Sequence, residues 1–254
     1  MDEEVIGSIT RDGNSLILAY DHGLEHGPSD FESNPASADP RNVFELARHD
    51  AVTALAVQKG LAETYYSEYE DDVNLLVKLN GTSSLWDPDD YFSPLNCSVE
   101  YAVEELGADA VGYTVYAGSD YEAEMFETFR QVQEQAHSYG VPVVMWAYPR
   151  GRPIKNDMSI DIISYAARIG LELGADMVKC KYPGSEKDWR KIVEVSGRMK
   201  TVMSGGSPRS DEEFLEDVRS VISAGGNGLA VGRNIFQRDS PEELLDRLEE
   251  VIFD

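Results

Sequence analysis

Eight short apolar, β-branched runs alternate with eight helix-patterned stretches along the whole chain, and no linker interrupts them. The runs cover 16–20, 52–57, 75–79, 110–116, 141–148, 176–181, 201–204 and 229–231. Each is too short for a buried helix and suits a strand buried on both faces, as parallel sheets require. The helix patterns cover 43–49, 61–69, 98–106, 121–139, 160–173, 189–198, 212–224 and 242–251. Eight strand–helix units in 254 residues predict one α/β domain spanning 1–254, a closed parallel (β/α)8 TIM barrel. An open doubly wound sheet is the rival. It is disfavoured because no Gly-x-Gly-x-x-Gly follows the first run, where a dinucleotide fold carries it.

The boundaries carry chemical punctuation. Gly107, Gly140 and Gly174 each follow a helix pattern and precede a strand, as C-terminal glycine stops do. Ser240-Pro241-Glu242-Glu243 reads as a cap residue, a first-turn proline and acids at the positive helix end. Ser210 and Glu213 have capping-box spacing.

Charge excludes several functions. The chain has 47 acidic residues against 22 basic ones, a formal net charge of −25. Binding nucleic acid by neutralising phosphates needs the opposite sign. No apolar run reaches the ~18 residues that span a bilayer, so no membrane partner is expected. Cys97 and Cys180 are too few for a disulfide framework, and the acidic opening MDEEVIGSIT has no leader-like apolar core. A reduced, cytoplasmic protein is the expectation. The acids are spread over 2–4, 68–72, 87–90, 211–213 and 242–254. Such self-repulsion is screened at ~1 M salt, where the Debye length is ~3 Å, so adaptation to a salty cytoplasm is expected.

In a barrel, the long loops at 23–40 and 81–97 lie on the C-terminal face, where active sites form. Period two then puts Ile17, Ala19 and Asp21 on one face of strand 1, Val144, Trp146 and Tyr148 on one face of strand 5, and Met177, Lys179 and Lys181 on one face of strand 6. If these faces point inward, an Asp, a Trp–Tyr pair and a Lys converge, with Lys78 and Asn80 of strand 3 adding a second cation and an amide. A lysine inside the apolar segment Asp-Met-Val-Lys-Cys is costly unless paired or neutral. Lys179 is therefore a candidate Schiff-base nucleophile; the competing readings are a solvent-reaching residue at the strand end or an ion-pair partner. Tyr148 is a candidate general acid/base or a core tyrosine. Asp21 orients Lys179 or accepts from substrate hydroxyls, or simply starts a turn. Trp146 suits a wall of the pocket.

Two glycine pairs point to phosphate. Ser204-Gly205-Gly206-Ser207 follows strand 7, and Val231-Gly232-Arg233-Asn234 follows strand 8. These are the recurrent phosphate loops of barrels, with Arg233 as countercharge. A metal is not expected. His22, Glu25 and His26 lie close together, but their segment follows a strand and holds two glycines, so it is not expected to form a helical ligand face. His49 and His137 fall in helix patterns, and Cys97 and Cys180 lack ligand spacing, with Cys180 facing away from Lys179. No cofactor is expected.

Taken together, Asp21-His22-Gly23 with Glu25-His26-Gly27-Pro28, Lys78-Leu79-Asn80-Gly81, Trp146-Ala147-Tyr148-Pro149-Arg150-Gly151, Gly174-Ala175-Asp176 with Lys179, and the two glycine loops resemble the archaeal-type class I fructose-bisphosphate aldolases. These belong to the DeoC/FbaB-like Schiff-base aldolase superfamily, and the likeness runs from strand 1 through strand 8. The resemblance implies a Schiff-base Lys179, a proton-transferring Tyr148 and a catalytic or orienting Asp21, without metal. It implies a phosphorylated sugar held by Trp146, Lys78, Ser204, Gly205, Gly206, Gly232 and Arg233, and a ring-based homo-oligomer, often a decamer. A sister group, 2-amino-3,7-dideoxy-D-threo-hept-6-ulosonate synthase, shares the Asp, Tyr and Lys core and is the alternative. A third reading is a sugar-phosphate-binding barrel with no lysine chemistry. For the aldolase, Tyr148 and Asp21 acting through water both stand as acceptors of the C4 hydroxyl proton.

Overall fold

The computed structural model describes residues 3–85, 90–206 and 209–254. Strands β1 (Ser15–Tyr20), β2 (Ala54–Gln58), β3 (Leu75–Lys78), β4 (Ala110–Val115), β5 (Val143–Ala147), β6 (Met177–Lys181), β7 (Lys200–Ser204) and β8 (Gly228–Val231) form a closed barrel in chain order. Every neighbouring pair is parallel, and β8 returns to β1. All eight expected strands are present, with ends displaced by at most two residues.

Strand alternation divides the core in two. Inward residues such as Ile17, Ala19, Ala56, Leu76, Val144, Trp146, Met177, Val202 and Ala230 fill the barrel. Outward residues such as Leu16, Leu18, Leu55, Val111, Val143 and Cys180 pack beneath the helices. Trp146 is the bulkiest apolar inward group, and its room comes from the missing side chain of Gly112 on β4. A Cβ on Gly112 would run into the Trp146 ring and come within 2.9 Å of Leu76.

The outer layer contains α3 (Pro40–Leu46), α4 (Lys59–Tyr65), α5 (Glu122–Ser138), α6 (Ile160–Glu172), α7 (Glu186–Ser196), α8 (Asp211–Ser223) and α10 (Pro241–Phe253). The short α1 (Glu3–Ile6), α2 (His22–His26) and α9 (Arg233–Phe236) lie outside that ring. The 98–106 pattern is helical over 99–105, with Tyr101–Glu105 wound as a π-helix. The 61–69 pattern breaks into α4 and a 3-10 turn, Tyr66–Glu68. The glycine stops behave as expected: Gly107, Gly140 and Gly174 have φ of 69°, 72° and 84°.

Ser210 and Glu213 form the full capping box of α8. Ser240 does precede α10, with Pro241 in its first turn, but its hydroxyl makes no capping bond. His49 lies in the turn past α3, not in a helix, whereas His137 is in α5.

The N-terminal segment is more than an acidic lead-in. Ile6 and Ile9 join the barrel interior, and Ser15 Oγ donates to Ile9 O at 2.8 Å. Together they close the mouth from which the strands start. In the acidic run at 87–90, Asp87 and Asp89 lie outside the described residues, and Asp90 is buried, accepting from the Asp120 and Tyr91 amides.

Candidate active site

β1 runs directly into α2, so the segment expected to be non-helical is a helix, ended by Gly27 at φ 80°. Tertiary packing overrides Gly23 within it: the His22 ring stacks on Phe236 at 5.0 Å and meets Phe31 edge-on at 5.4 Å. The helix has a chemical consequence. Asp21 and Glu25, four residues apart, come onto one face and both line the cleft at the C-terminal end of the barrel. Asp21 sits at the N-cap position without spending its carboxylate on a cap. Glu25 is a site residue that reading the sequence missed; the i, i+4 spacing is visible only once the segment is known to be helical.

The cleft has a volume of about 390 Å³. At its floor, Lys179 on β6 pairs in register with Trp146 on β5, so their side chains stand side by side inside the barrel. The Lys179 Nζ lies 4.9 Å from the Trp146 ring centroid, and the residue is 5% exposed. Among the described residues it has no ion-pair partner. Burial lowers its pKa to about 8, with Asp21 opposing the shift and Lys78 assisting it. At pH 7 the free amine then rises from ~0.03% to ~10%.

Lys78 departs from expectation. Instead of contacting the cleft it is fully buried, and its Nζ donates to Asn80 O at 3.0 Å and Asn80 Oδ1 at 3.1 Å. Asn80 in turn donates to Ser93 O and Thr114 O. The ammonium lies 5.3 Å from the same Trp146 ring, and burial lowers its pKa too. Lys78 is therefore an electrostatic neighbour of Lys179 and not a wall of the cleft.

Tyr148 is the first residue past β5, held by its amide donating to Val115 O at 3.1 Å. Burial, with Asp21 next, pushes its phenol well above 10, so it carries its proton throughout the neutral range. Arg150 lies 5.5 Å from the Tyr148 ring.

The two glycine loops meet at the rim. Ser204, Gly205, Gly206, Gly232 and Arg233 all line the cleft; Ser207 lies outside the described residues. Asn234, 1% exposed, ties the loops together by donating to Gly205 O at 2.7 Å. Gly232 admits no side chain, because a Cβ would strike Ala19 O. Cations gather here despite the chain's negative charge: Arg150, Lys181, Arg209 and Arg233 join Lys179 around the cleft. Lys181 pairs with Asp157, and Arg209 with Asp217 at 2.6 Å.

The histidines do other work. Burial among aromatic rings lowers the His22 pKa to about 4, leaving it neutral, and His26 Nδ1 bonds Asp30 at 2.7 Å. Among the described residues no group of three His, Cys, Asp or Glu side chains is arranged to hold a metal ion.

Residues 15–238 match the DeoC/LacD family aldolase model. The chain is 57% identical over 248 residues to the class 1 fructose-bisphosphate aldolase of Halobacterium salinarum, covering 97% of this chain and 93% of the relative. The chain belongs to the DeoC/LacD family of aldolases. The class 1 fructose-bisphosphate aldolase of Thermoproteus tenax is 44% identical to this aldolase over 254 residues, covering 100% of this chain and 95% of that protein. Among solved structures, an archaeal fructose-1,6-bisphosphate aldolase with its catalytic Lys covalently bound to the carbinolamine intermediate superposes with a TM-score of 0.94. It shares 43% identity and covers 99% of each chain.

In this aldolase, the inward alternation of β1, β5 and β6 brings Asp21, Trp146, Tyr148 and Lys179 together, as period two predicts. Cys180 faces the helix layer and is fully buried, apart from the chemistry.

Proposed function

We propose that Lys179 forms the imine through which this class I, Schiff-base fructose-bisphosphate aldolase works. The observation that carries the reading is a buried lysine, without an ion-pair partner among the described residues, beside Trp146 with its pKa lowered to about 8. The neutral amine attacks the C2 ketone of fructose 1,6-bisphosphate, and Tyr148 supplies the proton that expels water. The iminium draws electrons as the C4 hydroxyl gives its proton back to Tyr148, or to Asp21 through water, and the C3–C4 bond breaks. Glyceraldehyde 3-phosphate leaves, and an enamine remains. Tyr148, with Asp21 beside it, returns a proton to C3, and water hydrolyses the imine to free dihydroxyacetone phosphate.

Trp146 shapes the floor. Ser204, Gly205, Gly206 and Gly232 offer backbone to a phosphate, with Arg233 as countercharge. Incubation with substrate and borohydride, followed by peptide mass spectrometry, tests the assignment. A triose-phosphate adduct on Lys179 is expected; an adduct on another lysine, or none, overturns it.

The reading extends to setting. A cytoplasmic location fits the two unpaired, buried cysteines, and among the described residues no helix is long and apolar enough to cross a membrane. Adaptation to molar salt fits the charge of −25 and the Halobacterium salinarum relative. A ring-based homo-oligomer follows from the family resemblance. Light scattering in molar potassium chloride tests it, and a monomer there ends that part of the reading.

A further inference from the structure

Arg233 has an unusual companion. Its Nη1 lies 3.6 Å from Asp30 Oδ2, close enough for an ion pair but too far for a hydrogen bond. Among the described residues, Arg233 donates no side-chain hydrogen bond, so its fork of N–H donors is unspent beside the glycine loops. Asp30 is held by other groups. His26 Nδ1 bonds its carboxylate at 2.7 Å, and Gln237 Nε2 donates to its backbone carbonyl. Four residues on, Asn34 Nδ2 donates to Phe236 O at 2.9 Å and Arg238 O at 3.2 Å. The stretch after β1 is thus fastened to the stretch after Gly232. The carboxylate stands against the guanidinium without depending on it for position.

We propose that Asp30 sets the affinity for phosphate, as a built-in anion that competes with the substrate's phosphate for Arg233. The proposal rests on reading Arg233 as a phosphate ligand. A phosphate engaging that guanidinium approaches a fixed carboxylate of the same sign, and the two share one countercharge. Like-charge juxtaposition weakens binding and speeds release. In an enzyme whose products each carry a phosphate, weaker uniform binding at this point keeps product from lingering while leaving the chemistry at Lys179 untouched.

The test is kinetic. Asp30→Asn keeps the side chain's shape and removes its charge. The KM for fructose 1,6-bisphosphate and the inhibition constant of inorganic phosphate should both fall about fivefold, the scale of a partly exposed ion pair. Borohydride trapping of dihydroxyacetone, a ketone without phosphate, should keep its wild-type rate; a merely structural lesion would change all three. Arg233→Ala separates the two ideas. If it leaves KM unchanged, Arg233 is not a phosphate ligand and the underlying reading fails. If it raises KM while Asp30→Asn leaves KM unchanged or higher, only the Asp30 proposal is overturned. On an Arg233→Ala background the Asp30→Asn effect should shrink below twofold. Should the Asn variant fold poorly, Asp30→Ser gives the same neutral test.

Discussion

The electrostatic coupling between the two buried lysines sets a sign that can be measured. Lys78 and Lys179 lie 5.3 Å and 4.9 Å from the same Trp146 centroid, so their charges are at most about 10 Å apart. At that separation and an effective dielectric near 20, their repulsion is about 1.7 kcal/mol, a little over one pH unit. Lys78→Met removes the cation while keeping the stem's volume. The ascending limb of kcat/KM, which reports the free enzyme, should lie near pH 8 in the wild type and near 9 in this variant. At pH 7 the rate should fall roughly tenfold, with a nearly unchanged plateau above the limb. Asp21 acts with the opposite sign and is the larger of the two influences. Asp21→Asn should therefore move the limb below 8 even where it lowers the plateau. Profiles from pH 5 to 10, taken at fixed ionic strength, decide it. A limb that stays put in Lys78→Met, or one that moves the same way in both variants, refutes the argument from charge.

Other outcomes follow from the same site and its support. Lys179→Met should abolish cleavage yet stabilise the fold. The folded pKa of about 8 lies below the ordinary 10.5, so the buried cation costs about 3 kcal/mol in full below pH 8, and the cost disappears as pH rises toward 10.5; chemical denaturation at pH 7 and pH 10 should show the gain only at the lower pH. Gly112→Ala should push the Trp146 ring out of place, costing about 1–3 kcal/mol and lowering kcat; a variant with wild-type melting and turnover would show that the ring has slack. Prolonged EDTA treatment should leave cleavage intact, and a loss restored by zinc would overturn the lysine mechanism. The melting temperature should climb between ~0.1 M and ~2 M potassium chloride as like-charge repulsion is screened; a flat or falling series would remove the salt adaptation.

How much of the site is legible in the sequence varies with the range of the interaction that decides it. The β8 loop was readable as a phosphate loop from Val231-Gly232-Arg233-Asn234, but that Asn234 would bind Gly205 O across to the β7 loop was not, since it joins residues 29 apart in the chain. The two lysines show the same division. Lys179 stood out because one cation interrupts an apolar strand, a contrast visible among its immediate neighbours. Lys78 reads in the sequence only as a second cation at a strand end, and only the packed barrel reveals that its ammonium is capped by Asn80 beside Trp146.

Patterning along the chain carries the barrel, its strand order and the strand faces shared by Ala19 with Asp21, Trp146 with Tyr148, and Met177 with Lys179. These depend on strand period and on the alternation of short runs with helices, both local properties that each segment carries alone. The tertiary structure alone decided that residues 22–26 coil into a helix, bringing Glu25 beside Asp21, that Ile6 and Ile9 plug the barrel, and that Asp30 rests against Arg233. In each case the deciding contact comes from a distant part of the chain: Phe236 for His22, the barrel interior for the N-terminus, the β8 loop for Asp30. Local propensity at those positions is weak or points elsewhere, and packing overrides it.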